Sequence, residues 1–218
     1  MPASLPDLLA RFPSLEECVP DIQAAYELLE GCYAAGGKVL ACGNGGSAAD
    51  CEHIVGELMK GFLSRRPVPA EVRGRLLEQF PGEGEYLADN LQGGLPAISL
   101  VSQSGLLTAY GNDVDFEMAF AQQVYGYGRE GDLLIAISTS GTSRNVVNAV
   151  RVARAQGLAT LGFTGSGGGH LAELCDVTIR VPREETSFIQ ELHLPIYHFL
   201  CANLEQTFFP AEAEEDRQ

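Results

Sequence analysis

Four groups of residues in this sequence have the types and spacing that chemistry on a small anion requires. The first is Cys42-Gly43-Asn44-Gly45-Gly46-Ser47-Ala48-Ala49-Asp50, which follows an apolar run and precedes a helical pattern. Glycines there let backbone amides approach an anion closely. Ser47 is placed to cap the following helix, whose N-terminus offers free N–H groups and the positive end of its dipole. The turn lacks the lysine of a P-loop and the spacing of a dinucleotide fingerprint, so taken alone a tight turn is the simpler reading.

The second group is Ser138-Thr139-Ser140-Gly141-Thr142-Ser143, again between an apolar run and a helical pattern. Helix capping needs one or two hydroxyls, and this stretch supplies five in six residues. Together with helix N-terminal amides they make a polar, uncharged cradle suited to a phosphate. The third group is His53 and Glu57, four residues apart on the helix that starts at the glycine turn. Residues at that spacing share a face, so the two side chains meet one turn in from the anion-binding end. An ordinary helical pair and a catalytic pair both remain open here.

The fourth group is Gln190-Glu191-Leu192-His193-Leu194-Pro195-Ile196-Tyr197-His198. At about 100° per residue, Gln190, Glu191, Leu194 and His198 fall on one face, whereas His193 points about 140° away from His198. Gln190 and His198 are therefore able to serve one site. Pro195 is expected to release the carbonyl of Glu191 and bend the helix, at a cost of about 3 kcal/mol. His193 and His170 read as core histidines, each satisfied by a backbone carbonyl.

These groups need a frame that brings them together. Five short apolar runs recur, at Lys38 to Cys42, Leu95 to Val101, Asp132 to Ser138, Ala159 to Thr164 and Asp176 to Val181. Helical spacing lies between them, as in Asn145 to Gln156. Strands alternating with helices imply βαβ units, a parallel sheet and right-handed crossovers, with ligands bound beyond the carboxyl ends of the strands. That rule directs attention to the turns after Cys42 and Ser138.

Three segments lie outside this alternation. Residues 1–36 carry Leu8, Leu9, Phe12, Leu15, Val19, Ile22, Tyr26 and Leu29, the pattern of one or two amphipathic helices available to pack on a partner subunit. Pro67 to Gly94 is an insertion rich in Pro, Gly and charge, with short helices expected at Val72 to Phe80 and Tyr86 to Leu91. A surface excursion is the simpler reading of it, and a wall over the site the alternative. The acidic tail, 210–218, is expected to be disordered.

Composition excludes several classes. The 218 residues carry a net charge of −15 and no basic stretch longer than Arg65-Arg66, which speaks against nucleic acid and anionic membrane partners. A chain that is 45% hydrophobic at this length buries one core as one domain. No apolar run spans a bilayer and no export signal opens the chain, so a cytoplasmic location is expected. The six cysteines have no CxxC spacing and read as reduced core thiols.

In order, GNGGSAAD-x-x-H-x-x-x-E, YGND, STSGTS and IQELHLPIYH resemble the motifs of the phosphoheptose isomerases, a family of SIS-domain proteins. The match covers nearly the whole chain apart from Pro67 to Gly94. It implies an α/β fold, a three-layer αβα sandwich around a five-stranded parallel sheet of flavodoxin-like order, with N-terminal helices, as a single SIS domain over 1–218. It also implies a ketose–aldose isomerase that converts D-sedoheptulose 7-phosphate to D-glycero-D-manno-heptose 7-phosphate, or a closely related heptose phosphate, for nucleotide-activated heptose and lipopolysaccharide synthesis.

Residue by residue, the resemblance places Ser47, Ser138, Thr139, Ser140 and Ser143 around the substrate phosphate. It puts Asn44, Gly45 and Gly46 on the substrate-binding turn and Asn112, Asp113 and Gln190 against the sugar. Glu57 and His198 match the acid/base pair. Some members carry zinc through the counterparts of His53, Glu57, Gln190 and His198, and family members are usually homotetramers with sites between subunits. Three departures stand out: Lys60-Gly61 where many relatives carry an arginine, the 67–94 insertion, and Pro195. Two rivals remain, a non-catalytic SIS regulator resembling the replication initiator-associating protein and an isomerase of another sugar phosphate. Retention of Glu57, His198, His53 and Gln190 argues against the regulator.

Overall fold

The computed structural model describes residues 4–210, so the expectation of a disordered tail falls almost entirely outside the described residues. The chain opens with helix α1 (Leu5–Arg11), a 3-10 turn at Pro13–Cys18 and helix α2 (Val19–Ala34). A proline sits at the start of each of these three elements, where its missing N–H costs nothing. Leu8, Leu15, Ile22 and Leu29 are buried in the protein's own core, each burial worth about 2 kcal/mol. Half of the N-terminal stripe is thus spent within the subunit, while Leu9, Phe12, Val19 and Tyr26 stay partly exposed.

Strand β1 (Val39–Gly43) leads through the glycine turn into α3 (Gly46–Met59). The insertion then forms α4 (Ala70–Gln79) and α5 (Gly84–Asn90), which pack on one another as a hairpin. α4 buries no side chain, and α5 buries only Gly84 and Ala88. The hairpin leaves and returns through one neck, where Pro67 bridges Gln92 and the N–H of Gly93 donates to the carbonyl of Arg66 at 2.7 Å. Within this chain the hairpin projects from the surface.

The remaining elements are β2 (Ala97–Ser99), α6 (Ser104–Tyr110), α7 (Ala119–Tyr127), β3 (Leu133–Ile137), α8 (Arg144–Ala155), β4 (Ala159–Thr164), α9 (Gly169–Leu174), β5 (Val177–Arg180) and α10 (Thr186–Phe208). The five strands run in the order β2-β1-β3-β4-β5, and every pairing is parallel. Side chains alternate across the sheet. Val39, Ala41, Leu133 and Ile135 face α2, α3 and α10, while Leu40, Cys42, Leu134 and Ala136 face α7, α8 and α9. Burial on both faces explains why these strands read as continuous apolar runs.

The strand order reverses between β1 and β3, and such a switch point opens a crevice at the carboxyl ends of the two strands. Their register pairs Gly43 with Ile137, so the glycine turn and the hydroxyl loop leave the sheet side by side. α10 runs through Pro195 without a break. The carbonyl of Glu191, which loses its helical donor there, belongs to an exposed residue that water reaches.

Candidate active site

Two turns flank the switch point and are fastened to each other. Asn44 and Asn145 exchange a pair of side-chain hydrogen bonds, each 2.9 Å, across the gap between the turn after β1 and the first turn of α8. Gly45 holds φ +57°, a conformation that favours glycine. A side chain on Gly46 would collide with the amide of Gln190, so α10 closes directly over the turn. Ser47 does not cap α3, as the sequence led one to expect. Gly45 is the cap residue, and Ser47 lies buried inside the first turn, packed against Gly43.

The hydroxyl loop follows β3. Ser138 is buried and donates to Ser143 Oγ at 3.0 Å, and Ser140 pairs with Thr142 at 2.9 Å. Ser143 occupies the cap position of α8, yet its hydroxyl makes no capping bond. Helix capping therefore does not account for the loop. Its hydroxyls bond among themselves, in a short network beside the amino end of α8. Thr139 anchors the loop through its backbone, its carbonyl accepting the N–H of Gly165 at 2.9 Å.

The third and fourth groups meet between α3 and α10. His53 Nε2 lies 3.3 Å from Glu57 Oε1 and 3.3 Å from His198 Nε2. The two imidazoles stand edge to face, with ring centroids 4.9 Å apart, and Phe62 packs on the far side of His198. Burial and the neighbouring His53 hold the His198 pKa below the usual histidine value, with Glu57 pulling the other way. The lowered pKa favours the uncharged imidazole of His198. Lys60 donates to Glu57 Oε2 at 3.3 Å, so a cation reaches this carboxylate. A cavity of about 250 Å³ opens beside His198, walled by Arg11, Phe62, Leu63, Pro195 and Phe199.

Not every expected residue joins this cluster. Asn112 and Asp113 bond to each other at 2.8 Å on an exposed π-helical turn, Gly111–Asp115, and make no hydrogen bond to either the cluster or the hydroxyl loop. Gln190 belongs to the glycine turn. It precedes His198 by eight residues, about 12 Å along a helix axis, and its amide lies against Gly46. Among the described residues no three His, Cys, Asp and Glu side chains close around one ion position. The two 3.3 Å separations do match those between ligand atoms about 2.0–2.1 Å from a tetrahedral zinc.

The two histidines expected in the core part company. His193 is fully buried and shares a 3.2 Å hydrogen bond with the carbonyl of Thr164. His170 is a surface residue 4.0 Å from Glu173, because α9 turns it to solvent. The sequence pattern assigns no role in the site to Asp50, Tyr197, Arg66, Glu205 or Asn145. Tyr197 bonds to both His53 and Asp50, and Arg66 donates to the carbonyls of Glu57 and Leu58 at 3.1 and 2.7 Å, holding the end of α3.

A switch point flanked by a glycine turn and a neutral hydroxyl loop, with a His–Glu–His cluster farther along the two helices that meet at that turn, fits the SIS domain. Two family models described as SIS domain match residues 7–75 and 109–201. The phosphoheptose isomerase of Rhodospirillum rubrum is 41% identical over 89% of this chain and 89% of its own. The structure of a phosphoheptose isomerase from Francisella tularensis superposes with a TM-score of 0.74 at 32% identity, covering 91% of this chain and 92% of the other. That of Neisseria gonorrhoeae gives 0.72 at 34% identity, with 90% and 91% covered. The chain belongs to the phosphoheptose isomerase family.

Proposed function

We infer that this chain is a sugar-phosphate isomerase that converts D-sedoheptulose 7-phosphate to D-glycero-D-manno-heptose 7-phosphate through an enediol, in the supply of nucleotide-activated heptose. The observation that carries this reading is the convergence of Glu57 and His198 on His53, on the same two helices that meet at the glycine turn next to a hydroxyl loop that helix capping does not use. Ser138, Thr139, Ser140, Ser143 and Ser47 would hold the phosphate, with Asn44, Gly45, Gly46 and Gln190 along the sugar. A regulator needs the anion loop but not this cluster.

The chemistry follows from the groups present. Isomerisation takes a proton from the carbon beside the carbonyl, passes through an enediol and returns a proton to the neighbouring carbon. A carboxylate and a neutral imidazole divide that work between carbon and oxygen. Glu57 is held by Lys60 and lies 3.3 Å from His53, and burial holds the His198 pKa below the usual histidine value. Zinc belongs to the reading through His53, Glu57 and His198; Gln190, held against Gly46 about 12 Å along α10 from His198, lies apart from these three. When bound it would polarise the carbonyl oxygen as a Lewis acid.

The reading extends to a homotetramer with sites between subunits, which would give the exposed Asn112–Asp113 pair a sugar to contact. It also places the enzyme in the cytoplasm, in keeping with six free cysteines and with the absence, among the described residues, of a helix long and apolar enough to cross a membrane. The test is incubation with sedoheptulose 7-phosphate in deuterated water, followed by NMR. An aldose heptose phosphate carrying deuterium beside the carbonyl is expected. Folded, zinc-supplied protein that forms none would overturn the assignment.

A further inference from the structure

Tyr197 has one hydroxyl proton and two neighbours that could take it. Its oxygen lies 3.0 Å from His53 Nδ1 and 3.3 Å from Asp50 Oδ1. Suppose the proton goes to His53. Asp50 then keeps no hydrogen-bond donor among the described residues, because its other oxygen, Oδ2, is enclosed and already without a partner. That leaves the half-buried Asp50 carboxylate wholly unpaired, whereas Glu57, the carboxylate that faces His53 Nε2, keeps the Lys60 ammonium whichever nitrogen of His53 is protonated. Suppose instead that the proton goes to Asp50. The phenol oxygen then accepts from His53 Nδ1–H, and each neighbour of Tyr197 has its bond.

We propose that Asp50 and Tyr197 fix His53 as the tautomer protonated on Nδ1, so that its Nε2 turns a bare lone pair toward Glu57 and His198. This deepens the reading above and rests on it for its catalytic meaning, although the tautomer itself does not. A bare nitrogen 3.3 Å from both a carboxylate oxygen and a second imidazole nitrogen requires a proton or a cation between them. His53 is thereby set to accept a proton or bind a metal, and prevented from donating. Asp50 and Tyr197 are positioning residues, since they touch His53 and not the reacting atoms. The effect is carried by the hydroxyl. The ring of Tyr197 is buried edge-on to His53 at 5.4 Å, and phenylalanine would fill the same space.

The experiment compares the full-length protein with Tyr197→Phe and Asp50→Asn, each labelled with 15N-histidine and read by NMR, the His53 signals being identified by their loss in His53→Gln. Wild type is expected to show Nδ1–H at His53, and both variants to move toward Nε2–H. Zinc affinity and kcat should each fall by roughly 10-fold or more, as for other partners that orient metal-binding histidines, with KM little changed. Nε2–H in wild type, or the same tautomer in wild type and Tyr197→Phe, would overturn the proposal. Failure of wild type to turn over sedoheptulose 7-phosphate would sink the isomerase reading alone, because the tautomer is read without substrate.

Discussion

Arg66 and Glu205, both buried, form a 2.8 Å ion pair that ties the loop after α3 to the last turns of α10. Glu205 also accepts the backbone N–H groups of Phe62, Leu63 and Ser64, and Arg66 caps the carbonyl end of α3 at Glu57 and Leu58. The pair thus sets how the helix bearing Glu57 sits against the helix bearing His198. Arg66→Met should destabilise the protein by about 3–5 kcal/mol, because it strands a buried carboxylate. Glu205→Leu should cost at least as much, since it orphans three amides as well as the guanidinium. Urea unfolding measures both, and a loss below about 1 kcal/mol would show the pair to be dispensable.

Burial works to raise the Glu205 pKa, but the Phe62 and Leu63 amides and Arg66 outweigh it and hold the pKa below the ordinary value. A depressed carboxylate stabilises the fold at pH values above its unfolded pKa, and that stability is lost as pH falls through the folded one. His193 adds to the same trend. Burial lowers its pKa to about 4, so between pH 6.5 and 4 the unfolded chain takes up a proton that the folded chain refuses. That difference is worth about 3 kcal/mol at pH 4. His193→Gln should flatten the slope of stability against pH in this window, and an unchanged slope would show that His193 is not its source.

Glu57→Gln and His198→Ala should each lower kcat by roughly 100-fold to 10,000-fold, the range for loss of a general acid or base. Thermal unfolding should move little, because both side chains lie at the cluster and not in the core. Near-normal turnover by either variant would remove the proposed division of labour.

Ser138→Ala combined with Ser143→Ala should act on binding. Each hydroxyl lost from a charged ligand costs about 1.5–3 kcal/mol, so KM should rise by at least 10-fold while kcat stays within a few-fold. A fall in kcat at unchanged KM would place these residues in the chemistry instead.

Much of this was legible in the sequence, and the parts that were not share a cause. Apolar runs marked all five strands, because a parallel sheet covered on both faces leaves no polar alternation to confuse the pattern. The turns after β1 and β3 were located by strand–turn–helix order alone. Arg66 was hidden because it sits in what looks like a surface dipeptide, Arg65-Arg66, and its partner is 139 residues away. Tyr197 was hidden by looking apolar in a helix where only its hydroxyl matters. Asn145 and Asp50 depend on partners that only the folded crossovers bring near. The spacing of Gln190 and His198 correctly gave one helix face but overstated their closeness, since sharing a face does not shorten the distance along the axis.

The uncharged hydroxyl loop has a kinetic consequence. Its six residues, Ser138 to Ser143, carry no charge, and they serve a chain whose net charge is −15. On the proposed reading, a phosphate dianion approaching from a distance would meet repulsion and would be held only once amides and hydroxyls are within contact range. Added salt screens the long-range part over about 10 Å at 0.1 M and leaves the short-range part nearly intact. Capture of the ligand should therefore quicken as ionic strength rises, the reverse of what a lysine- or arginine-lined site shows.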